Sequence, residues 1–224
     1  MMLNAEYDGR PEEYDQLRQC WLNERRLLFL EEQIGKSGRA GSLRVLEIGS
    51  GTGWLLAQLA AQFPNSEFTG IEPEQSYVEF SKKRGLANLH FVLGTAEECG
   101  QVLKGPFDII LSNDVLHHVA SLEATVRNMT SLARKGTRWI AIEPNCLNPY
   151  TAARQASKAG ERNFYPWQLQ RHVQRAAWRT NRKRYLFIIP PFIKVAPDWA
   201  IALERRLEWA APLTGGVVLD LVKE

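Results

Sequence analysis

Between Leu43 and Ile142 short apolar runs alternate with helical stretches at a steady period, and that alternation leaves few folds open. The runs span 43–48, 67–71, 89–93, 107–111 and 138–142. Between them, 54–63, 75–84 and 122–133 carry helical spacing, and 95–103 reads as a helix or a turn. Strand and helix alternating in this way build a parallel sheet with helices on both faces. The runs RVLEI, FDIIL and RWIAI lack strict polar alternation, as expected of strands covered on both sides. The expected fold class is α/β: a doubly wound, Rossmann-like, mostly parallel sheet.

The flanks are read with the same rules. Pro11 to about Gly35 predicts one helix, with Leu17, Trp21, Leu28 and Ile34 on its inner stripe, before a Gly/Ser-rich linker over 36–42. Asn145–Pro166 is rich in turn formers and aromatics and predicts an irregular segment. A helix over 167–177, a strand over 184–189, a helix over 198–211 and a strand over 217–222 follow. The C-terminal helix is expected to bury Trp199, Leu203, Leu207 and Ala210. The short link Thr214-Gly215-Gly216 predicts a last strand antiparallel to its neighbours. The 224 residues are expected to form a single domain. Its parts are a helical cap and linker (1–42), a ligand-binding core (43–144), a lid with a basic helix (145–180) and a C-terminal unit (181–224).

Composition sets outer bounds. With 45% hydrophobic and 24% charged residues the chain is neither disordered nor collagen-like. The longest near-apolar stretch, 185–193, contains Pro190 and Pro191 and falls far short of the roughly 20 residues of a membrane span. No transmembrane segment and no secretory leader are expected. Cys20, Cys99 and Cys146 form no CxxC pair, so neither a disulfide framework nor a metal site is expected, and a cytoplasmic location is the default.

The most informative segment is Val45-Leu-Glu-Ile-Gly49-Ser50-Gly51-Thr-Gly53. A buried strand runs into three glycines and then into a helix, a turn that needs positive φ and leaves room for a ligand's approach. The dinucleotide fingerprint GxGxxG is not met, because Trp54 stands at its last glycine. No Lys-Ser/Thr pair follows, which excludes a nucleotide P-loop. Glu47 disfavours a phosphate and suits an ammonium or a sulfonium. Glu72, ending the second strand, can accept both hydroxyls of a ribose. It can also cap the helix that Pro73 opens.

VLEIGSGTG, the acid of GIEPE, HFVLGTAEE and FDIILSNDVLHHV together resemble the ordered motifs of class I S-adenosylmethionine-dependent methyltransferases, over about Leu43 to Ile142. The resemblance implies S-adenosylmethionine as cofactor. It implies that the loop from Glu47 through Gly49, Ser50, Gly51 and Gly53 holds the methionine part, and that Glu72 holds the ribose hydroxyls. Ile71 and Pro73 then flank the sugar and base, Thr95, Ala96 and Glu97 lie along the adenine edge, and Asn113 faces the methionine end. Thr95 departs from the Asp that many relatives carry.

Methyl transfer from a sulfonium needs alignment, and a base only where the acceptor must lose a proton. Candidates for that chemistry are His117, His118, Glu143 and Tyr150, with Asp114 and Tyr165 nearby in the chain. Each histidine can instead pack beside the cofactor, with the two rings expected to point apart, and Glu143 can approach substrate or cap the segment from Asn145. Tyr7, Tyr14, Trp21, Phe164 and Trp167 are expected to contribute to a lid.

Residues 151–184 hold nine basic side chains against the single acid Glu161, although the net charge of the whole chain is only +3. Arg171, Arg175 and Arg179 are expected on the outer side of one helix, facing an anionic surface or partner. The expected function is methylation of a small or lipid-like acceptor, anionic ones included, with oxygen preferred as the methylated atom. The alternatives are a nucleic-acid methyltransferase, disfavoured because Ser112-Asn113-Asp114-Val115 lacks the Asn/Asp-Pro-Pro-aromatic motif, and a non-catalytic regulatory or scaffold subunit. A homodimer through the last strands is a further expectation.

Overall fold

In a computed structural model, which describes residues 10–37, 41–157, 163–190 and 192–224, seven strands form one sheet in the order β3-β2-β1-β4-β5-β7-β6. The strands are β1 (Arg44–Ile48), β2 (Glu67–Glu72), β3 (Leu89–Leu93), β4 (Phe107–Asn113), β5 (Ala133–Pro144), β6 (Trp178–Leu186) and β7 (Gly216–Lys223). The helices are α1 (Pro11–Arg18), α2 (Trp21–Ser37), α3 (Trp54–Gln62), α4 (Gln75–Lys82), α5 (Cys99–Val102), α6 (Leu122–Ser131), α7 (Pro149–Ser157), α8 (Pro166–Arg175) and α9 (Asp198–Leu207). β1 pairs in parallel with β2 on one side and β4 on the other, so the strand order reverses between them. In sheets of this kind a crevice opens at that switch, beyond the carboxyl ends of the strands. β7 runs antiparallel to both β5 and β6, as the Gly215-Gly216 link requires.

The central strands read as unbroken apolar runs because successive residues enter two different cores. Ile109 and Leu111 join Ile140 and Ile142 on the face covered by α2 and α3. Ile110 joins Trp139 and Ala141 on the face covered by α6 and α8. Alternation therefore sorts side chains between two apolar faces rather than between core and water.

Several flanking expectations are corrected. The single helix over 11–35 is two helices, broken at Gln19–Cys20, where the Asn23 side chain donates to the Arg18 carbonyl. Leu17 and Leu28 are exposed, because α1 packs on the glycine loop while α2 packs on the sheet, and one stripe cannot serve both. The irregular segment contains α7. Its start is an Asn148 side chain accepting the N–H groups of Tyr150 and Thr151, with Pro149 at the first position. β6 begins at Trp178, earlier than expected, because that indole is buried edge-on against Trp139 and donates to Thr130. Arg179 therefore lies on a strand and not on the helical row with Arg171 and Arg175. Trp199 and Leu203 face outward at 70% and 48% exposure, and α9 buries Glu204 instead. β7 is an interior strand, so the exposed edge at this end belongs to β6. Tyr7, Lys158, Glu161, Arg162 and Pro191 lie outside the described residues. Among the described residues no helix is long and apolar enough to cross a membrane.

Candidate active site

The carboxyl ends of β1, β2, β4 and β5 bring Glu47, Glu72, Asn113 and Glu143 to one edge of the sheet. The loop after β1 takes φ values of +66° at Gly49, +55° at Gly51 and +71° at Gly53, which side chains resist. Packing sets two of these identities as firmly as φ does. A Cβ on Gly49 would lie 2.4 Å from Val115, and one on Gly53 would lie 2.3 Å from Phe91. A Cβ on Gly51 would come within 3.2 Å of the Tyr14 ring, so α1 covers the loop from outside. Asp15 on α1 accepts from the Thr52 hydroxyl at 2.7 Å and is paired with Arg84.

Glu72 closes the loop. One carboxylate oxygen accepts the Gly51 N–H at 2.9 Å and the other the Glu74 N–H at 3.2 Å. Glu72 therefore holds the loop, and the expectation that it caps a helix opened by Pro73 is corrected, because α4 begins only at Gln75, with Glu74 before it and no side-chain cap; each Glu72 oxygen keeps a further lone pair. Burial pushes its carboxyl up to about 7, against those two backbone donors. Burial likewise pushes Glu47 up to about 8, against the attraction of Arg18 and with the help of Glu72. Arg18 reaches this region from α1. Burial opposes its cation, and Tyr14, Asp114 and Glu47 more than compensate, raising its pKa.

Beyond β4 the chain turns at Asp114, with φ of +55°. Burial disfavours the Asp114 anion, but Arg26, 2.7 Å away, together with His117 and Arg18, holds its carboxyl below the usual range. His117 is 4% exposed, and its Nδ1 lies 2.8 Å from Glu143 Oε2. Glu143 Oε1 accepts the N–H groups of Val115 and Leu116 at 3.0 and 2.8 Å. Glu143 is thus committed to this turn. It does not cap the segment from Asn145, and it is fully buried behind His117 rather than in the cavity lining. The two histidine rings do not point apart: their centroids are 4.0 Å from each other, since both belong to one tight turn and not to a strand.

Along the expected adenine edge, Thr95 donates its hydroxyl to Glu98 at 3.2 Å, and Ala96 is buried in the core. Glu97 Oε1 accepts the Ala120 N–H, and its Oε2 is buried with no hydrogen-bond partner among the described residues. Pro73 is half-buried beside Glu72.

A cavity of about 520 Å³ opens between α1, α2, α7, residues 187–190 and Phe192. Tyr14, Arg18, Arg26, Asp114, His117 and His118 line one side. Asn148, Tyr150, Arg154 and Gln155 line another, and Phe187, Ile188, Ile189 and Phe192 form an apolar wall. Tyr150 is 60% exposed at the rim. Among the described residues no cluster of His, Cys, Asp and Glu could hold a metal ion.

Residues 40–186 match the model of a family described as "Methyltransferase domain". The chain belongs to the class I S-adenosylmethionine-dependent methyltransferase family. A malonyl-[acyl-carrier protein] O-methyltransferase of Bacillus cereus is 27% identical over 131 residues, 57% of this chain and 47% of that protein. A ribosomal RNA small subunit methyltransferase G of Streptococcus pyogenes is 31% identical over 90 residues, 38% of each chain. The chain thus spans less than half of these curated relatives. Among solved structures, a geranyl diphosphate C-methyltransferase from Streptomyces coelicolor superposes with a TM-score of 0.69 at 12% identity, covering 91% of this chain and 80% of that one. A SAM dependent methyltransferase from Archaeoglobus fulgidus gives 0.65 at 13% identity, covering 88% and 94%.

The residues present fit the cofactor of this methyltransferase family. Glu47 Oε2, Ser50 Oγ and both amide atoms of Asn113 are buried without hydrogen-bond partners among the described residues, all at the carboxyl ends of β1 and β4. Buried polar atoms are normally paired, so these await a ligand with donors and a positive group. Sequence reasoning passed over Asp15, Arg18, Arg26 and Gln155. Asp15, Arg18 and Arg26 sit in a stretch read as one helix for its apolar stripe and its aromatics, and Gln155 in a segment read as irregular.

Proposed function

We propose that this chain transfers a methyl group from S-adenosylmethionine to a hydroxyl oxygen of a small, amphipathic acceptor seated in the cavity beside His117. When bound, the cofactor supplies a methyl group already activated on a sulfonium. Glu47, Ser50, Asn113 and the backbone of Gly49, Gly51 and Gly53 would hold its methionine part. Glu72 would hold the ribose beside Pro73, and Glu97, with Thr95 and Ala96, the base.

The observation that carries the choice of oxygen is the His117–Glu143 pair, whose histidine lines the cavity. One oxygen of Glu143 accepts two backbone N–H groups and the other meets His117 Nδ1, which fixes the orientation of the ring. Histidine exchanges a proton near neutral pH, and His117 stands in the wall of the cavity where the acceptor's proton must go. His117 is the catalytic residue of this reading. Glu143 positions it, His118 stacks on it, and Tyr150 meets the acceptor at the rim.

The apolar wall formed by Phe187, Ile188 and Ile189 suits a lipid-like body, and exposed Arg154 suits an anionic group at the mouth. Arg171 and Arg175, exposed on α8, offer a separate face to an anionic surface or partner. The unit 1–224 acts in this reading as one domain in the cytoplasm, consistent with one continuous sheet and three free thiols. The unpaired edge of β6 is where a homodimer would form.

The test follows transfer from S-adenosylmethionine carrying a labelled methyl group to a panel of phenols and carboxylic acids. His117→Ala is expected to lower turnover by about 10²–10⁴-fold, with S-adenosylhomocysteine affinity unchanged. Unchanged turnover would remove the base from the mechanism.

A further inference from the structure

Gln155 is 3% exposed, and neither its Nε2 nor its Oε1 has a hydrogen-bond partner among the described residues. It nevertheless lines the cavity that His117 and His118 line. Leaving both ends of a buried amide unpaired is costly, and apolar residues of the same size were open to this position. The side chain presents one donor and one acceptor next to each other. A carboxylate would satisfy the donor and set its own lone pairs against Oε1, and an ammonium would do the reverse. A planar amide satisfies both at once.

We propose that Gln155 selects the acceptor, and that the acceptor carries an amide-type edge, a carbonyl beside an N–H, which pairs with Gln155 inside the cavity. This rests on the methyl-transfer reading above and adds to it which acceptors the site takes. The body of such an acceptor lies against Phe187, Ile188 and Ile189, and Arg154, one residue earlier on α7, stands exposed at the cavity wall. Gln155 is a selecting residue and takes no proton. Its loss therefore changes which acceptor binds and leaves the cofactor site alone.

Three phenols of nearly one outline test this: 4-hydroxybenzamide, methyl 4-hydroxybenzoate and 4-hydroxybenzoate, each titrated by calorimetry into protein loaded with S-adenosylhomocysteine. The amide should bind about tenfold more tightly than the ester or the carboxylate, because each of those leaves one end of Gln155 unpaired. In Gln155→Leu that preference should vanish. The ligand-free variant should also melt about 2–4 °C higher, since an unpaired amide is replaced by a side chain of like size that needs no partner. Equal binding of ester and amide, a preference that survives in Gln155→Leu, or a variant that melts lower would each overturn the proposal. Wild-type protein that takes no S-adenosylhomocysteine would overturn the methyl-transfer reading and this proposal with it. Wild-type protein that takes it but shows no amide preference overturns this proposal alone.

Discussion

Glu47 and Glu72 are carboxyls held by burial at about 8 and about 7, against 4.5 as the ordinary value. Between those limits the folded protein keeps protons that the unfolded chain releases. The stability these groups contribute is full below about pH 4.5 and is lost as pH rises through 7 and 8. The cofactor-free protein is therefore expected to melt at progressively lower temperature from about pH 5 to pH 8. Glu47→Gln, neutral throughout, should flatten much of that slope, and a scan of melting temperature against pH with no change of slope would refute the assignment. Asp114 works with the opposite sign, since its lowered pKa withdraws stability only as pH falls into the acid range. At this scale the sequence was most legible where one residue type has one use. Gly49, Gly51 and Gly53 announce positive φ, and Glu72 announces a strand-end carboxylate. It was least legible where the meaning lies in a distant partner. Glu143 is 26 residues from His117 in the chain, and nothing local marks the two as a pair.

Elements carry what single residues cannot. α1 lies over the glycine loop through the Tyr14 ring on Gly51 and through Asp15 bonded to Thr52 and paired with Arg84. A segment fastened by polar side chains at its inner face opens more readily than one fastened by an apolar stripe. Asp15→Ala removes a shared acceptor and leaves Arg84 and Thr52 without it. The expected cost is about 1.5–3 kcal/mol, the range for hydrogen bonds to charged groups. Amide hydrogen exchange should quicken over 11–18 while β1 and β4 stay protected, and uniform quickening across the sheet would show that α1 is not a separate unit. The strands of the core were legible because their apolar runs are set by two-sided burial. The α1–α2 break was not, because its cause is two packing directions that no single periodicity encodes. α7 had a readable start signal in Asn148-Pro149, masked by the aromatics around it. α9 misled because Trp199 and Leu203 keep helical spacing yet face outward.

At the scale of the molecule, α2 is tied to α9 and to the segment after β6. Arg25 on α2 reaches Glu204 and Glu208 at 2.8 and 3.0 Å, and Glu204 in turn accepts the N–H groups of Ile188 and Ile189. The Trp21 N–H also donates to the Ile193 carbonyl. The N-terminal helices and the segment after β6 thus hold each other, and the cavity is the space between them. The sheet supplies the cofactor edge, and this clasp supplies the acceptor wall. The two functions should therefore separate under mutation. Glu204→Ala leaves Arg25 buried beside only Glu208 and two backbone donors unpaired, at an expected cost of about 3–5 kcal/mol. Acceptor binding should be lost while S-adenosylhomocysteine binding persists in the fraction that remains folded. Replacing both Arg25 and Glu204 by Met should recover part of that stability, because a buried pair exchanged for apolar side chains is often neutral. Recovery should stay incomplete, since Ile188 and Ile189 still lack an acceptor. Full recovery in denaturant unfolding would show that the carboxylate serves the arginine alone and does not shape the cavity wall.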